Sequence, residues 1–339
     1  MGKHFNISTN PVHHYIIAVL FIFLFLCAAF RPIGLDFDSA EYLNAIESFY
    51  NGVYTIQEPG FIFLAYFSEV FFSSSTRSVF VLYAFISLLI KFYCISKYAA
   101  DKFVSFIIYA CVFFILHDLT QIRAGLAAAF FLWSLPDLIN GNKKNYLVKV
   151  FLASLFHFSA SLLFPLIFLS KQKWRASIYI SLPLLSLLLV VLVGDLKDIL
   201  IVFFSYFPDF ISSKAVSYIM GVDLEGRFSD VNVFSKISLS TWGFYLLYGY
   251  ACSRLRSFSD ADNLFLKLFG IMLTIYYLFS SVPVLSARCF ELLSVSFIYS
   301  LPLLARKFRP SLYLKSIIIF WSILYLYIVN IKLINFEVL

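Results

Sequence analysis

Long apolar runs, broken by short polar breaks, fill almost the whole chain. A helix needs roughly 20 apolar residues to span a bilayer, with about 17 as a lower limit. By that measure the pattern predicts spans at 14–31, 78–97, 103–119, 121–137, 145–158, 159–171, 176–194, 234–252, 263–282, 288–305 and 311–331, about eleven in all. The pair 145–158 and 159–171 is short and back to back, so it reads as half-helices or one broken span. The expectation is an all-α polytopic membrane protein, with 1–339 as one integral body. The first run, Tyr15 to Phe30, is read as an uncleaved helix, because Leu24-Phe25-Leu26 before Cys27 is too bulky for a lipoprotein cleavage site.

Between the spans, two stretches change period. In residues 31–77, Asp38-Ser39-Ala40-Glu41 looks like a capping box that opens a helix. From there Tyr42, Leu43, Ile46, Phe49 and Tyr50 fall on one face, with Glu41, Asn44, Glu47 and Asn51 on the other. That pattern predicts an amphipathic helix lying on the membrane surface and ended by Asn51-Gly52. After Glu58-Pro59-Gly60, the stretch 61–72 is too short to span and is read as a surface or partly inserted helix. Residues 194–235 hold a second amphipathic pattern, Leu196, Ile199, Leu200, Phe203 and Phe207.

Composition narrows the class. Hydrophobic residues make up 61% of the chain and charged residues 13%, about half of what coats a soluble domain. A soluble enzyme, a nucleic-acid-binding module and a disordered chain are therefore excluded. The five cysteines lie in or beside apolar runs and form no CxxC pair, so neither a disulfide framework nor a zinc site is read. The net charge of +7 sets orientation. Lys97 with Lys102, Lys143 with Lys144, Lys171 to Arg175, Arg254 with Arg256 and Arg306 to Lys315 mark cytoplasmic loops. The acidic loops, 31–77 and 194–235, then face outward. Counting 61–72 as a span would invert every later loop.

An ionisable group at membrane depth is a functional candidate by default. On this topology the outer face collects Asp36 and Asp38, Glu58, the His117-Asp118-Leu119-Thr120-Gln121-Ile122-Arg123 segment, His157 and Arg288. Arg123 opens a span after Thr120 and Gln121, where free backbone N–H groups favour an anion and a guanidinium can grip two phosphate oxygens. Otherwise it would snorkel or pair with Asp118. His157 suits proton transfer, or a bond to a neighbouring carbonyl. Arg288 has Glu291 one turn on as a structural partner. Asp36 and Asp38 suit sugar hydroxyls or base catalysis, against solvation for Asp36 and helix capping for Asp38. Tyr42, Gln121, His117 and Arg227 complete the candidate binding set. None of the spacings makes a metal, Walker or dinucleotide site.

Taken in order, Asp38…Tyr42, Glu58-Pro59-Gly60-Phe61, Arg123-Ala124-Gly125-Leu126-Ala127, His157-Phe158-Ser159-Ala160 and Arg288 resemble the EpsG-like family of bacterial polysaccharide polymerases, a branch of the Wzy-type polymerases. The resemblance implies a fold like that of GT-C glycosyltransferases, with many helices and large outer loops. It implies transfer of a growing glycan from undecaprenyl diphosphate onto the next lipid-linked repeat unit, at the outer face of the bacterial inner membrane. The partners would be those lipid-linked oligosaccharides and the bilayer, with a chain-length regulator left open and no nucleic acid. Arg123 and Arg288 would hold the diphosphate without a metal or cofactor. His157, Asp36, Asp38 or Glu58 would orient or deprotonate the acceptor. An O-antigen ligase uses the same leaving group and is the nearer alternative. A flippase or transporter would instead line a central path with charge, which the one-sided clustering disfavours.

Overall fold

The computed structural model describes residues 11–170, 176–194, 196–206, 209–220, 231–254 and 258–338. Among these residues there are helices and no strand. The first third contains α1 (Pro11–Ala29), α2 (Ser39–Tyr50), α3 (Pro59–Phe72) and α4 (Thr76–Tyr98). Next come α5 (Lys102–Ile108), which continues as a π-helix over Tyr109–Thr120, and α6 (Ile122–Asn140). Then α7 (Lys143–Phe156) passes at His157 into a 3-10 helix, Phe158–Phe168. The second half holds α8 (Ala176–Val193), α9 (Lys197–Phe204), α10 (Asp209–Met220) and α11 (Lys236–Arg254). It ends with α12 (Asp260–Leu278), α13 (Pro283–Ser294), α14 (Phe297–Ala305), α15 (Ser311–Ile328) and the short turns Asn330–Leu333 and Phe336–Val338.

Fewer helices qualify as spans than the eleven expected. Thr76–Tyr98, Lys102–Thr120, Ile122–Asn140, Asp260–Leu278 and Ser311–Leu333 are each long and apolar enough to cross a membrane. The α13–α14 pair, bent by 53°, makes a sixth if counted as one broken span. The run 145–171 is cut because His157 adopts extended backbone (φ −154°, ψ 118°). In α11 the apolar run is diluted by Ser238, Ser240, Thr241, Gly243 and Gly249. The described apolar parts of α1 and α8, and the 3-10 helix, fall short of spanning length.

Local chemistry sets several helix ends. Asp101 accepts from Val104 N at 3.2 Å to start α5 and pairs with Lys315 at 2.7 Å, tying α5 to α15. Ser259 and Asp262 form a reciprocal capping box at the start of α12. The same Asp262 carboxylate takes Lys307 Nζ at 2.6 Å. At α2, by contrast, the expected Asp38 cap is absent. Asp36 Oδ1 instead accepts from Asp38 N at 3.1 Å and Ser39 N at 2.9 Å. The face of α2 agrees with the pattern, since Tyr42, Ile46 and Phe49 are buried and Glu41, Asn44 and Glu47 exposed. That face is turned into the protein core, beside α3 and α4, rather than left for lipid. Gly52 ends the helix region with φ +79°.

The loop before α2 is latched from far along the chain. Arg31 Nε meets Asp36 Oδ2 at 2.8 Å in a fully buried pair, and Arg77 Nη1 donates to Arg31 O at 2.7 Å. Asp36 forms an antiparallel bridge to Ile334, and Asn335 N donates to Leu35 O at 2.7 Å. Just before that strand-like contact, Asn330 Nδ2 donates to Cys111 O and Val112 O at 2.8 and 2.9 Å. It thereby satisfies carbonyls of the π-helix.

Candidate functional site

The Glu58-Pro59-Gly60 and Arg123-Ala124-Gly125 segments each place a glycine where two elements press together. A Cβ on Gly60 would lie 2.5 Å from the Phe156 ring and 2.9 Å from Leu155 O. Only a bare α-carbon lets the start of α3 close on the end of α7. Pro59 occupies the first turn of α3, where its missing N–H costs nothing. Glu58, the residue before it, is thereby delivered to His157, the residue that ends α7. A Cβ on Gly125 would collide with His117 O, so the first turn of α6 presses directly on the end of the π-helix. The wider π-helical turn carries Gln121 N to Leu116 O at 2.7 Å, and π-turns recur at functional sites.

Around these contacts a charged cluster closes. Arg123 Nη1 donates to Glu58 Oε2 at 2.8 Å, and the guanidinium lies 5.4 Å from the centroid of the Tyr42 ring. His157 Nδ1 stands 3.6 Å from Glu58 Oε1, too far for a short hydrogen bond. The Arg123 side chain keeps 22% of its surface open, and its Nε has no hydrogen-bond partner. Burial pulls the Glu58 carboxyl upward, but the His157 contact and the Arg123 charge outweigh it and hold the group at about 2. Glu58 is therefore a fixed anion and a poor proton acceptor. Burial pushes Asp38 the other way, up from the carboxylate range, against the charges of Arg288 and Arg123. Burial also raises the Tyr42 phenol, which stays neutral.

Beside this cluster lies a small cavity of about 10 Å³, walled by His117, Ala124, His157, Ser159, Arg288 and Glu291. His117 is 1% exposed and stacks on Phe113, with its Nδ1 unpartnered. Gln121 Oε1 and Glu291 Oε2 are both buried and left without a partner. Arg288 and Glu291 share this wall, and among the described residues they form no ion pair. The structure thus brings together Arg123, Glu58, Tyr42, His157, His117, Gln121 and Arg288, with Asp38 in electrostatic reach. These residues come from five separate stretches of sequence.

Two expectations are corrected. Asp36 does not face the cavity as a free carboxylate. It is 2% exposed and consumed by Arg31 and the start of α2. Asp118 is neither a loop residue nor a partner for Arg123. It lies fully buried, taking Lys91 Nζ at 2.8 and 2.7 Å, Tyr109 OH at 2.7 Å and Ser87 Oγ at 2.6 Å. Arg227 lies outside the described residues. Lys91 and the cavity-facing role of Glu291 do not emerge from the pattern. A lysine in the middle of the 78–97 run was the available signal for the first. Glu291 had been weighed only as a partner for Arg288.

With this geometry in hand, the comparison with known families is decisive. The model of the EpsG family matches residues 14–338. The chain belongs to the EpsG family. No curated protein and no solved structure matches it. In this EpsG-family chain, the match covers every residue of the cluster and the cavity. Among the described residues no three His, Cys, Asp or Glu side chains converge as a metal would require.

Proposed function

We propose that this EpsG-family membrane protein is a polysaccharide polymerase. It joins oligosaccharide repeat units carried on undecaprenyl diphosphate at the outer face of the bacterial inner membrane, towards O-antigen, capsule or exopolysaccharide. The observation that carries the reading is that Arg288 and His157 wall one cavity while Arg123 is joined to His157 through Glu58, all from distant parts of the sequence.

The chemistry follows from charge. Diphosphate on a lipid is already a good leaving group, so the site needs cations for the charge that develops as the glycosidic bond breaks. Arg123 has an open face and an unpartnered Nε, and Arg288 stands without a carboxylate partner among the described residues. Glu58 and Tyr42 hold the Arg123 fork in one orientation, as a pre-organised anion site requires. No converging ligand set calls for a divalent ion among the described residues. The exposed Phe63, Tyr66 and Phe71 of α3, which follows directly on Glu58, offer apolar surface for an isoprenoid tail.

The test is a deletion strain together with purified protein. A polymerase deletion leaves single repeat units on the final acceptor. A ligase deletion leaves no attached glycan. Purified protein given the lipid-linked unit should lengthen it, and failure to do so under conditions that keep it folded would sink the reading.

A further inference from the structure

We infer that Glu291 is the proton acceptor for the attacking sugar hydroxyl, and that the cavity beside Arg288 is the acceptor subsite. The inference rests on the polymerase reading of the same site and assigns the one role that reading leaves open.

The candidates separate by what already occupies them. Glu58 is spent on Arg123 and His157. Asp36 is spent on Arg31 and two backbone N–H groups, away from the cavity. Asp118 is spent on Lys91, Tyr109 and Ser87. Asp38 is not among the residues that wall the cavity. Glu291 does wall it, and its Oε2 has no partner. A buried carboxylate oxygen without a donor is costly to leave unmet, so the site is built for a donor from outside. His117 adds a second unpartnered atom, Nδ1, on the same wall. Together they offer two acceptor atoms to one hydroxyl group at the cavity mouth, whereas Arg123 stands on the Glu58 side.

The acceptor O–H gives its proton to Glu291 Oε2. The oxygen's electron pair forms the new bond to the anomeric carbon of the donor. The bond from that carbon to the phosphate oxygen breaks, and its electrons leave with undecaprenyl diphosphate. Glu291 later returns the proton to water.

The experiment uses purified full-length protein and the lipid-linked repeat unit isolated from the deletion strain. Glu291→Gln keeps size and shape. It should bind undecaprenyl diphosphate with wild-type affinity and slow polymerisation by roughly 10²- to 10⁴-fold, the usual contribution of a general base. Glu291→Asp, which draws the carboxylate back, should fall between the two. Where the Gln variant does not stay folded, the Asp variant decides: slowed transfer with unchanged diphosphate affinity upholds the assignment. Wild-type turnover by either folded variant overturns it, as does loss of diphosphate binding in step with the rate. A wild-type protein that does not polymerise at all fails the functional reading instead, and the assignment falls with it.

Discussion

Replacing Glu58 by Gln keeps the shape of the side chain and removes its charge, so it isolates what the Arg123–Glu58–His157 cluster contributes to stability. In the folded chain the carboxyl is held at about 2 against an ordinary 4.5, because the His157 contact and the Arg123 charge outweigh the cost of burial. At about 1.4 kcal/mol per tenfold change in proton affinity, that fall corresponds to about 3 kcal/mol. The figure agrees with the roughly 3–5 kcal/mol lost when one partner of a buried pair is removed. The folded-state value is depressed, so the contribution is fully present above 4.5 and is lost as pH falls towards about 2. Wild type should therefore exceed Glu58→Gln by about 3 kcal/mol at neutral pH. The gap should close across that acidic window. The assay is denaturant unfolding of both proteins in the same detergent at a series of pH values. Curves that stay parallel through the acid range would show that the charge of Glu58 contributes nothing, and the electrostatic account of the cluster would be wrong.

Arg123→Lys keeps a charge but loses the planar fork, so it should insert normally and polymerise roughly a hundredfold more slowly, with Arg123→Ala worse still; a full-length polysaccharide ladder from the Ala variant at matched membrane levels removes Arg123 from the mechanism. Gly125→Ala should separate α6 from the π-helix, lowering the unfolding temperature and polymer length together with every charged residue intact, since overpacking costs roughly 1–3 kcal/mol. Lys91→Met leaves Asp118 buried without its counter-ion and should destabilise by roughly 3–5 kcal/mol, with Lys91→Met plus Asp118→Asn recovering part of the loss in the same unfolding assay. Polymerisation should continue in EDTA; activity abolished by EDTA and restored by magnesium would refute a metal-free site.

Much of this arrangement was legible because a membrane chain tolerates few charges, so each one inside an apolar run is conspicuous. Arg123, His157 and Arg288 stood out on that ground, and the face of α2 followed from period alone. Asp118 shows where the method stops. It sits next to His117 at the end of an apolar run and reads as a loop residue. Only a π-helix, which shifts side chains relative to an α-helical count, turns it back to Lys91. Period 3.6 reasoning has no way to anticipate that shift. Asp36 and Asp38 show a second limit. They are two residues apart and chemically alike, yet one is buried by Arg31 and the other is not, a difference made by contacts over long sequence distances. Glycine carries a further share of the fit: Gly60 and Gly125 each let two elements press together, and so set the position of a neighbouring functional side chain.

The latch between Asp36 and Ile334 has a bearing on the order in which the protein is made. The loop that carries Asp36 and leads into Tyr42 leaves the ribosome early. The residues that pin it, and Asn330 that braces the π-helix, follow roughly three hundred residues later. A nascent chain interrupted before Asn330 already contains Glu58, Arg123, His157, Arg288 and Glu291, but neither tether. The site is therefore complete in composition well before it is complete in geometry, and an unfinished copy in the membrane carries the reactive groups without the fastening that aligns them.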